Sequence, residues 1–336
     1  MTDQLPPHQS RILFIRTDRL GETVLNLPVV AGLKQALPTA RLTFLSRPEL
    51  VPLVLKAPGV DRVMAYEEAR PSWWVARAVR LALRLGPERF DLAIVSNPKK
   101  ELHLAVWLAR IPYRVGYSRK WGGCLNRRIP DRKALGERHE VEYNCELAAA
   151  LGLPISIPSS WRFLSFQKEQ EEIQQLIEQQ GVVGNPPFVV VHPWTSNPAK
   201  RWAPARFRTL LQEMSRRLAV VPVVIGGPEE QEPGGALLTP EIPKVVNLIG
   251  RLSVTQLAAL CQCAKLVVSN DSGPVHVAAA VGTPTVVLFG AEAPAAGPRR
   301  WGPWGPGHLV LNKRSLAELQ VDEVMRAVEQ QLQCGS

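Results

Sequence analysis

The chain has 336 residues, 46% of them hydrophobic, which is enough for two sizeable cores and excludes a disordered chain. Its net charge of +10 favours an anionic partner: nucleic acid, a phosphorylated sugar or an anionic membrane surface. No apolar run reaches the roughly 18 residues of a membrane span; the polar start MTDQLPPHQS lacks an export signal, and the five scattered cysteines offer no metal or disulfide framework, so a cytoplasmic protein is expected.

Short β-branched runs alternate with longer amphipathic ones, the pattern of βαβ units and parallel sheets. In the first half, strands are predicted at 11–16, 41–45, 62–66, 91–96 and 114–117, with helices near 22–37, 48–56, 72–85, 99–110 and 137–151. The first strand ends in Arg16-Thr17-Asp18-Arg19, and Gly21-Glu22 then opens a helix. Carboxylates at the carboxyl end of a strand stand where doubly wound sheets bind ligands. The 72–85 helix carries Arg77, Arg80 and Arg84 on one face and Trp74, Ala78, Leu81 and Leu85 on another. It reads either as a helix covering a sheet or as a basic helix resting on a membrane. Arg114, Arg119, Lys120, Arg127, Arg128, Arg132 and Lys133 then cluster around Tyr117 and Trp121. They suit a phosphorylated ligand; nucleic acid would suit the same charges, but no binding motif accompanies them.

The stretch PISIPSSWRF, a polar helix at about 167–181 and VVGNPP interrupt the alternation. They place a first domain, with that linker helix, at 1–183 and a second at 184–336. Strands resume at 188–192, 221–225, 245–250, 265–271, 285–290 and 308–312, with helices near 204–219, 253–263, 274–281 and 315–332. The last helix is expected to pack back toward the first domain. The predicted architecture is two doubly wound halves facing each other across a cleft.

Three loops of the second half follow strands. HPWTSNPAKRW (192–202) brings hydroxyls, Lys200 and Arg201; it reads as a phosphate contact or as an ordinary helix entry. Asp271-Ser272-Gly273-Pro274 reads as a strand end, a tight turn and Pro at the start of a helix, whose amides can meet an anion. His276 is either a ligand contact or a core histidine. In VVIGGPEEQE (223–232) a glycine pair permits close approach, and Glu229 or Glu230 could hold ribose hydroxyls. None of these fits G-x-G-x-x-G or the P-loop, which disfavours a dehydrogenase or a P-loop NTPase.

Together RILFIRTDRLGETVLNLP, VVVHPWTSNPAKRWAPARF, LVVSNDSGPVHVAAAVGTPTVVLFG and RRWGPWG resemble glycosyltransferase family 9, the ADP-heptose:lipopolysaccharide heptosyltransferases, from about residue 11 to 312. The resemblance implies an α/β glycosyltransferase-B fold of two Rossmann-like domains. It implies inverting, metal-independent transfer with no cofactor. The donor, ADP-heptose, would lie mainly on the second domain, and a phosphorylated lipid A-core acceptor mainly on the first. Carried onto this chain, Thr195 and Ser196 line the donor diphosphate, Lys200 binds phosphate and Asp271 contacts the sugar. The backbone of Ser272, Gly273 and Pro274 meets the diphosphate, His276 stands beside the donor, Leu252 meets adenine and Glu230 the ribose. The family's Gly-Asp, with the aspartate as proposed base, is here Gly21-Glu22. Glutamate keeps the charge but adds a methylene, and a misplacement of about 1 Å can cost about a hundredfold in rate. Glu22 is expected to be the base, with Asp18 in reserve and Lys200 steadying the leaving diphosphate. Arg119, Lys120, Arg127 and Arg128 are expected to face the acceptor. No nucleic acid is expected, and peripheral contact with the anionic inner membrane is. The alternatives are a family member using another nucleotide sugar or surface glycan, and a sugar-nucleotide-binding protein with little transferase activity.

Overall fold

Runs such as Arg11–Ile15 (RILFI) and Phe188–His192 (FVVVH) are buried along nearly their whole length. Strands covered on both faces belong to parallel sheets sandwiched by helices. A computed structural model describes residues 10–334 apart from 69–72, 154, 158–160, 185, 239–241, 243 and 291–292. The start read above for an export signal lies mostly outside the described residues, as does part of the Pro/Ser-rich stretch.

The first sheet consists of β1 (Arg11–Ile15), β2 (Arg41–Ser46), β3 (Arg62–Ala65), β4 (Leu92–Val95), β5 (Tyr113–Tyr117) and β6 (Arg127–Ile129). Their order is β3-β2-β1-β4-β5-β6, all parallel. The second sheet consists of β7 (Phe188–His192), β8 (Val221–Val224), β9 (Val246–Asn247), β10 (Leu266–Asn270), β11 (Thr285–Gly290) and β12 (His308–Lys313). Its order, β12-β11-β10-β7-β8-β9, is the same winding repeated. Each unit is thus a Rossmann-like, doubly wound domain. In each sheet the order reverses once, between β1 and β4 and between β7 and β10. Ligands of such sheets bind outside the strands' carboxyl ends at that reversal.

Each unit has its own core. Leu13, Ile15, Val95, Ala78, Leu81 and Leu85 anchor one in the first unit. Val191, Trp202, Phe207, Val268, Leu288 and Val324 anchor that of the second. Trp202 is fully buried, stacks edge-on to Phe207 at 4.9 Å and donates its indole N–H to the Leu319 carbonyl at 2.9 Å.

Four sequence expectations shift. The contacts divide the chain into residues 1–164 and 165–336, so the helix Gln167–Glu178 lies with the second unit rather than the first. It buries Ile173 and Ile177, and Glu172 accepts from Gln256 of the helix Val254–Cys263 at 2.8 Å. Composition marks where alternation pauses; burial of those isoleucines decides the side. The helix expected over 22–37 is two, Leu20–Val24 and Leu27–Ala36. Pro28, second residue of the latter, lacks an N–H and its ring crowds the preceding turn. The arginine-led β6 was not anticipated. The last helix runs Val321–Cys334, later than expected, and buries Val324, Met325, Ala327 and Val328 in the second unit's core.

Candidate active site

At the reversal of the second sheet, β7 and β10 end side by side. β7 delivers His192 and, through the following loop, Thr195 and Lys200; β10 delivers Ser269, Asn270, Asp271 and Ser272. Lys200 Nζ meets Asp271 Oδ2 at 2.5 Å. Thr195 Oγ1 donates to the Asp271 carbonyl at 3.3 Å. The loop between them is pinned by the buried Asn270, which accepts from Trp202 N at 3.0 Å and donates to the Pro193 carbonyl at 2.7 Å. Ser196 is exposed on the same loop.

Ser272 is the N-cap of the helix Gly273–Val281, yet its side chain makes no capping bond. Its hydroxyl instead turns back to His192 Nδ1 at 3.1 Å and to Ser269 Oγ at 2.8 Å. Ser269 donates its own proton to the His192 carbonyl at 3.1 Å. Burial pushes the His192 imidazole down to about 4, so it is neutral at physiological pH. With the Ser272 side chain withdrawn, the helix start keeps its amides for a ligand, and such a terminus with its positive dipole end suits an anion. Gly273 and Pro274 form the first turn, and His276 follows with only 5% exposure.

Glu230 and Leu252 lie on the neighbouring loops, after β8 and β9. The Glu230 carboxylate accepts from the backbone N–H of Gly227. Burial raises its pKa, opposed by that hydrogen bond and by Arg201 and assisted by Glu229. Gly226 must be glycine: an added Cβ would stand 2.7 Å from Trp194 Nε1 and 3.1 Å from Glu230 Oε2. Gly250, at φ +71°, donates its N–H to the Gly226 carbonyl at 2.9 Å and turns the chain toward the half-buried Leu252. The loops carrying the expected donor residues therefore follow four adjacent strands at one edge of the sheet. His192 and Ser269 were not singled out from the sequence; their position at the ends of two buried strands was the available signal.

At the reversal of the first sheet the chemistry is different. Asp18 is held by Arg16 at 3.2 Å, by the Asn97 amide at 3.1 Å and by Lys99 at 3.7 Å. Glu22, half-buried in the first turn of Leu20–Val24, makes no side-chain hydrogen bond or ion pair among the described residues. The two candidate bases are thus unequal: Asp18 is occupied by cations, whereas Glu22 has its lone pairs available. Behind them lies a buried ionic cluster. Glu140, 1% exposed, pairs with Lys133 at 2.5 Å and Arg16 at 3.7 Å. Lys133 also donates to Asn144 at 2.8 Å and sits 4.5 Å above the Tyr117 ring.

This cluster removes Lys133 from the basic surface read from the sequence. Arg114 leaves it too, because its guanidinium donates to the carbonyls of Cys124 at 2.7 Å and Ile111 at 2.5 Å. Arg119 stays exposed and pairs with Asp131 at 2.8 Å. Lys120 and Trp121 take left-handed backbone angles, φ 47° and 65°, in a turn fixed by His103 Nδ1 donating to the Lys120 carbonyl at 2.9 Å. Arg127 and Arg128 are consecutive on β6, so their side chains leave opposite faces. The helix Trp74–Leu85 covers its sheet with Ala78, Leu81 and Leu85. Arg77 reaches Glu101 at 3.7 Å and Arg84 donates to the Ala65 carbonyl at 3.0 Å. The exposed residues of this helix mix Val75, Val79 and Leu83 with Arg80 and Arg84, and the exposed Trp73 precedes it.

Among the described residues, no group of three or more His, Cys, Asp or Glu side chains could hold a metal ion, and no helix is long and apolar enough to cross a membrane. All five cysteines are free thiols.

Two Rossmann-like units of this winding have the α/β architecture of the glycosyltransferase-B class. The model of glycosyltransferase family 9 (heptosyltransferase) matches residues 78–326, and the chain belongs to that family. It is 25% identical to lipopolysaccharide heptosyltransferase 3 of Escherichia coli, over 84% of this chain and 83% of that one. Its fold superposes on the glycosyl transferase family 9 structure from Veillonella parvula with a TM-score of 0.87 at 20% identity, covering 98% of this chain and 99% of that one. For the E. coli ADP-heptose lps heptosyltransferase II the TM-score is 0.80 at 23% identity, covering 96% and 98%.

Proposed function

We propose that this protein moves heptose from ADP-heptose to a phosphorylated inner-core acceptor of lipopolysaccharide, with inversion and without a metal. The observation that carries this reading is the convergence of Thr195, Lys200, Asp271 and the uncapped start of Gly273–Val281 at the β7/β10 reversal. The donor diphosphate binds there, with adenosine toward Leu252 and Glu230 and with Ser196 and His276 flanking it. On arrival it exchanges places with Asp271 as the partner of Lys200. Asp271 is then released to accept from sugar hydroxyls. As the sugar–phosphate bond breaks, Lys200 and the helix amides hold the charge growing on ADP, so no second carboxylate has to protonate the leaving group.

Glu22 takes the proton of the acceptor hydroxyl as that oxygen attacks the anomeric carbon from the face opposite the diphosphate. Its free carboxylate favours it over Asp18. Arg119, Lys120 and Arg128 receive acceptor phosphates. Reaction at the cytoplasmic face of the inner membrane is supported by the exposed Trp73, Val79 and Leu83, which can rest on lipid while arginines nearby meet anionic headgroups.

The test is a screen of nucleotide sugars for binding and turnover against truncated core acceptors, with an ADP-soaked crystal alongside. Turnover restricted to ADP-heptose, and ADP beside Lys200 and Ser272, are expected. ADP bound elsewhere sinks the reading; turnover with another donor makes this a family member of different specificity. Binding without turnover by any donor favours a sugar-nucleotide-binding protein, a reading motivated by glutamate standing at the base position.

A further inference from the structure

We infer that Asn26 and Ser96 form a buried clamp that positions Glu22. The inference rests on Glu22 being the base. Both residues are fully buried, and neither has a surface to offer a ligand. Asn26 is the N-cap of Leu27–Ala36, but its side chain makes no capping bond there. Its Nδ2 reaches back instead and donates to the backbone carbonyl of Glu22 at 2.7 Å.

The orientation of this amide is fixed by elimination. The Glu22 carbonyl can only accept, so the NH2 of Asn26 must face it. Oδ1 of Asn26 then faces Ser96 Oγ at 2.5 Å, and the hydroxyl must donate to it. The Ser96 oxygen is left to accept, which it does from Arg16 Nη1 at 3.2 Å. Arg16 is the same guanidinium that pairs with Asp18 and Glu140. The turn from residue 16 to residue 22 is therefore held at both ends by one buried network: through Asp18 at its start and through the Glu22 carbonyl at its end. The network joins the ends of β1 and β4 to the helix Glu140–Ala149.

The clamp acts on the backbone of residue 22, leaving its carboxylate untouched. Asn26 and Ser96 are thus positioning residues. Asn26→Asp is the sharpest probe, because it keeps the shape and turns the donor into an acceptor against an acceptor. Ser96→Ala is the milder one, removing a single hydroxyl and one of the two anchors of Asn26.

The experiment measures amide hydrogen exchange over residues 19–25 in the full-length protein without donor or acceptor, together with kcat and ADP affinity. In Asn26→Asp, exchange over 19–25 is expected to rise at least tenfold while peptides covering 266–281 stay at wild-type rates. Ser96→Ala shows the same pattern more weakly and stands in should Asn26→Asp fail to fold. The kcat falls about 10- to 100-fold with ADP affinity unchanged, the signature of a misplaced group rather than a lost binding site. Unchanged exchange at 19–25, an equal rise across the whole first unit, or a matching loss of ADP affinity overturns the clamp. A wild type that transfers no sugar counts against the proposed function, and the exchange pattern still decides on the clamp.

Discussion

The two sheet reversals have the same topology and opposite electrostatics. Under the first, Arg16, Lys133 and Glu140 bury full charges, and the loop above them is built on ion pairs. Under the second, His192, Ser269 and Ser272 form a neutral hydroxyl–imidazole cluster, and the ion pair Lys200–Asp271 at that edge reaches partly to solvent. On the proposed function, the difference fits what each site would hold. A diphosphate brings its own charge, so its cradle is best neutral, rich in amides and furnished with a cation that can change partners. A general base must stay charged and unpaired near arginines, which requires its backbone to be held rigidly while neighbouring carboxylates absorb the cations.

Four measurements can break or sharpen that contrast. The largest effect belongs to Glu22→Gln, expected to lower kcat by about 10²- to 10⁴-fold. Asp18→Asn should cost less, since Asp18 is already paired; the reverse ranking in a turnover assay would exchange their roles. Next, Glu140→Ala strands Lys133 and Arg16 in the interior and should cost about 3–5 kcal/mol in urea unfolding. Asp271→Ala, its counterpart in the second unit, leaves Lys200 able to reach water and should cost about 1 kcal/mol; equal losses would erase the distinction between a buried and an accessible pair.

Lys200→Ala should lower kcat by about 10²- to 10³-fold and weaken ADP binding. Titration calorimetry with ADP checks the second part, and unaltered affinity would leave the diphosphate without its cation. The smallest effect concerns pH. The His192 imidazole titrates at about 4 in the folded protein and near 6.5 when unfolded. Its contribution is therefore complete above about pH 6.5 and is lost as pH falls toward 4, because the unfolded chain takes up a proton that the folded one does not. The full loss amounts to about 3 kcal/mol. In His192→Asn, which keeps a neutral hydrogen-bonding side chain beside Ser272, unfolding curves at pH 7, 5.5 and 4.5 should show a shallower acid decline than wild type.

The sequence by itself determined the two-fold alternation of strands and helices and the family. Backbone geometry imposes its periods locally: a strand shows every second residue and a helix every third or fourth, whatever lies around them. Pro274 beside Gly273, or Lys200 five residues beyond Thr195, are likewise local facts. Tertiary structure alone decided the partners. Nothing in the spacing says that Lys133 leaves the basic stretch to meet Glu140, that Ile173 and Ile177 bury against the second unit, or that Ser272 abandons its own helix for a histidine 80 residues away. The type of each residue fixes how strongly it can interact. Whether it does so in water or in the interior depends on which strands become neighbours, and that is settled by the packing of the whole sheet.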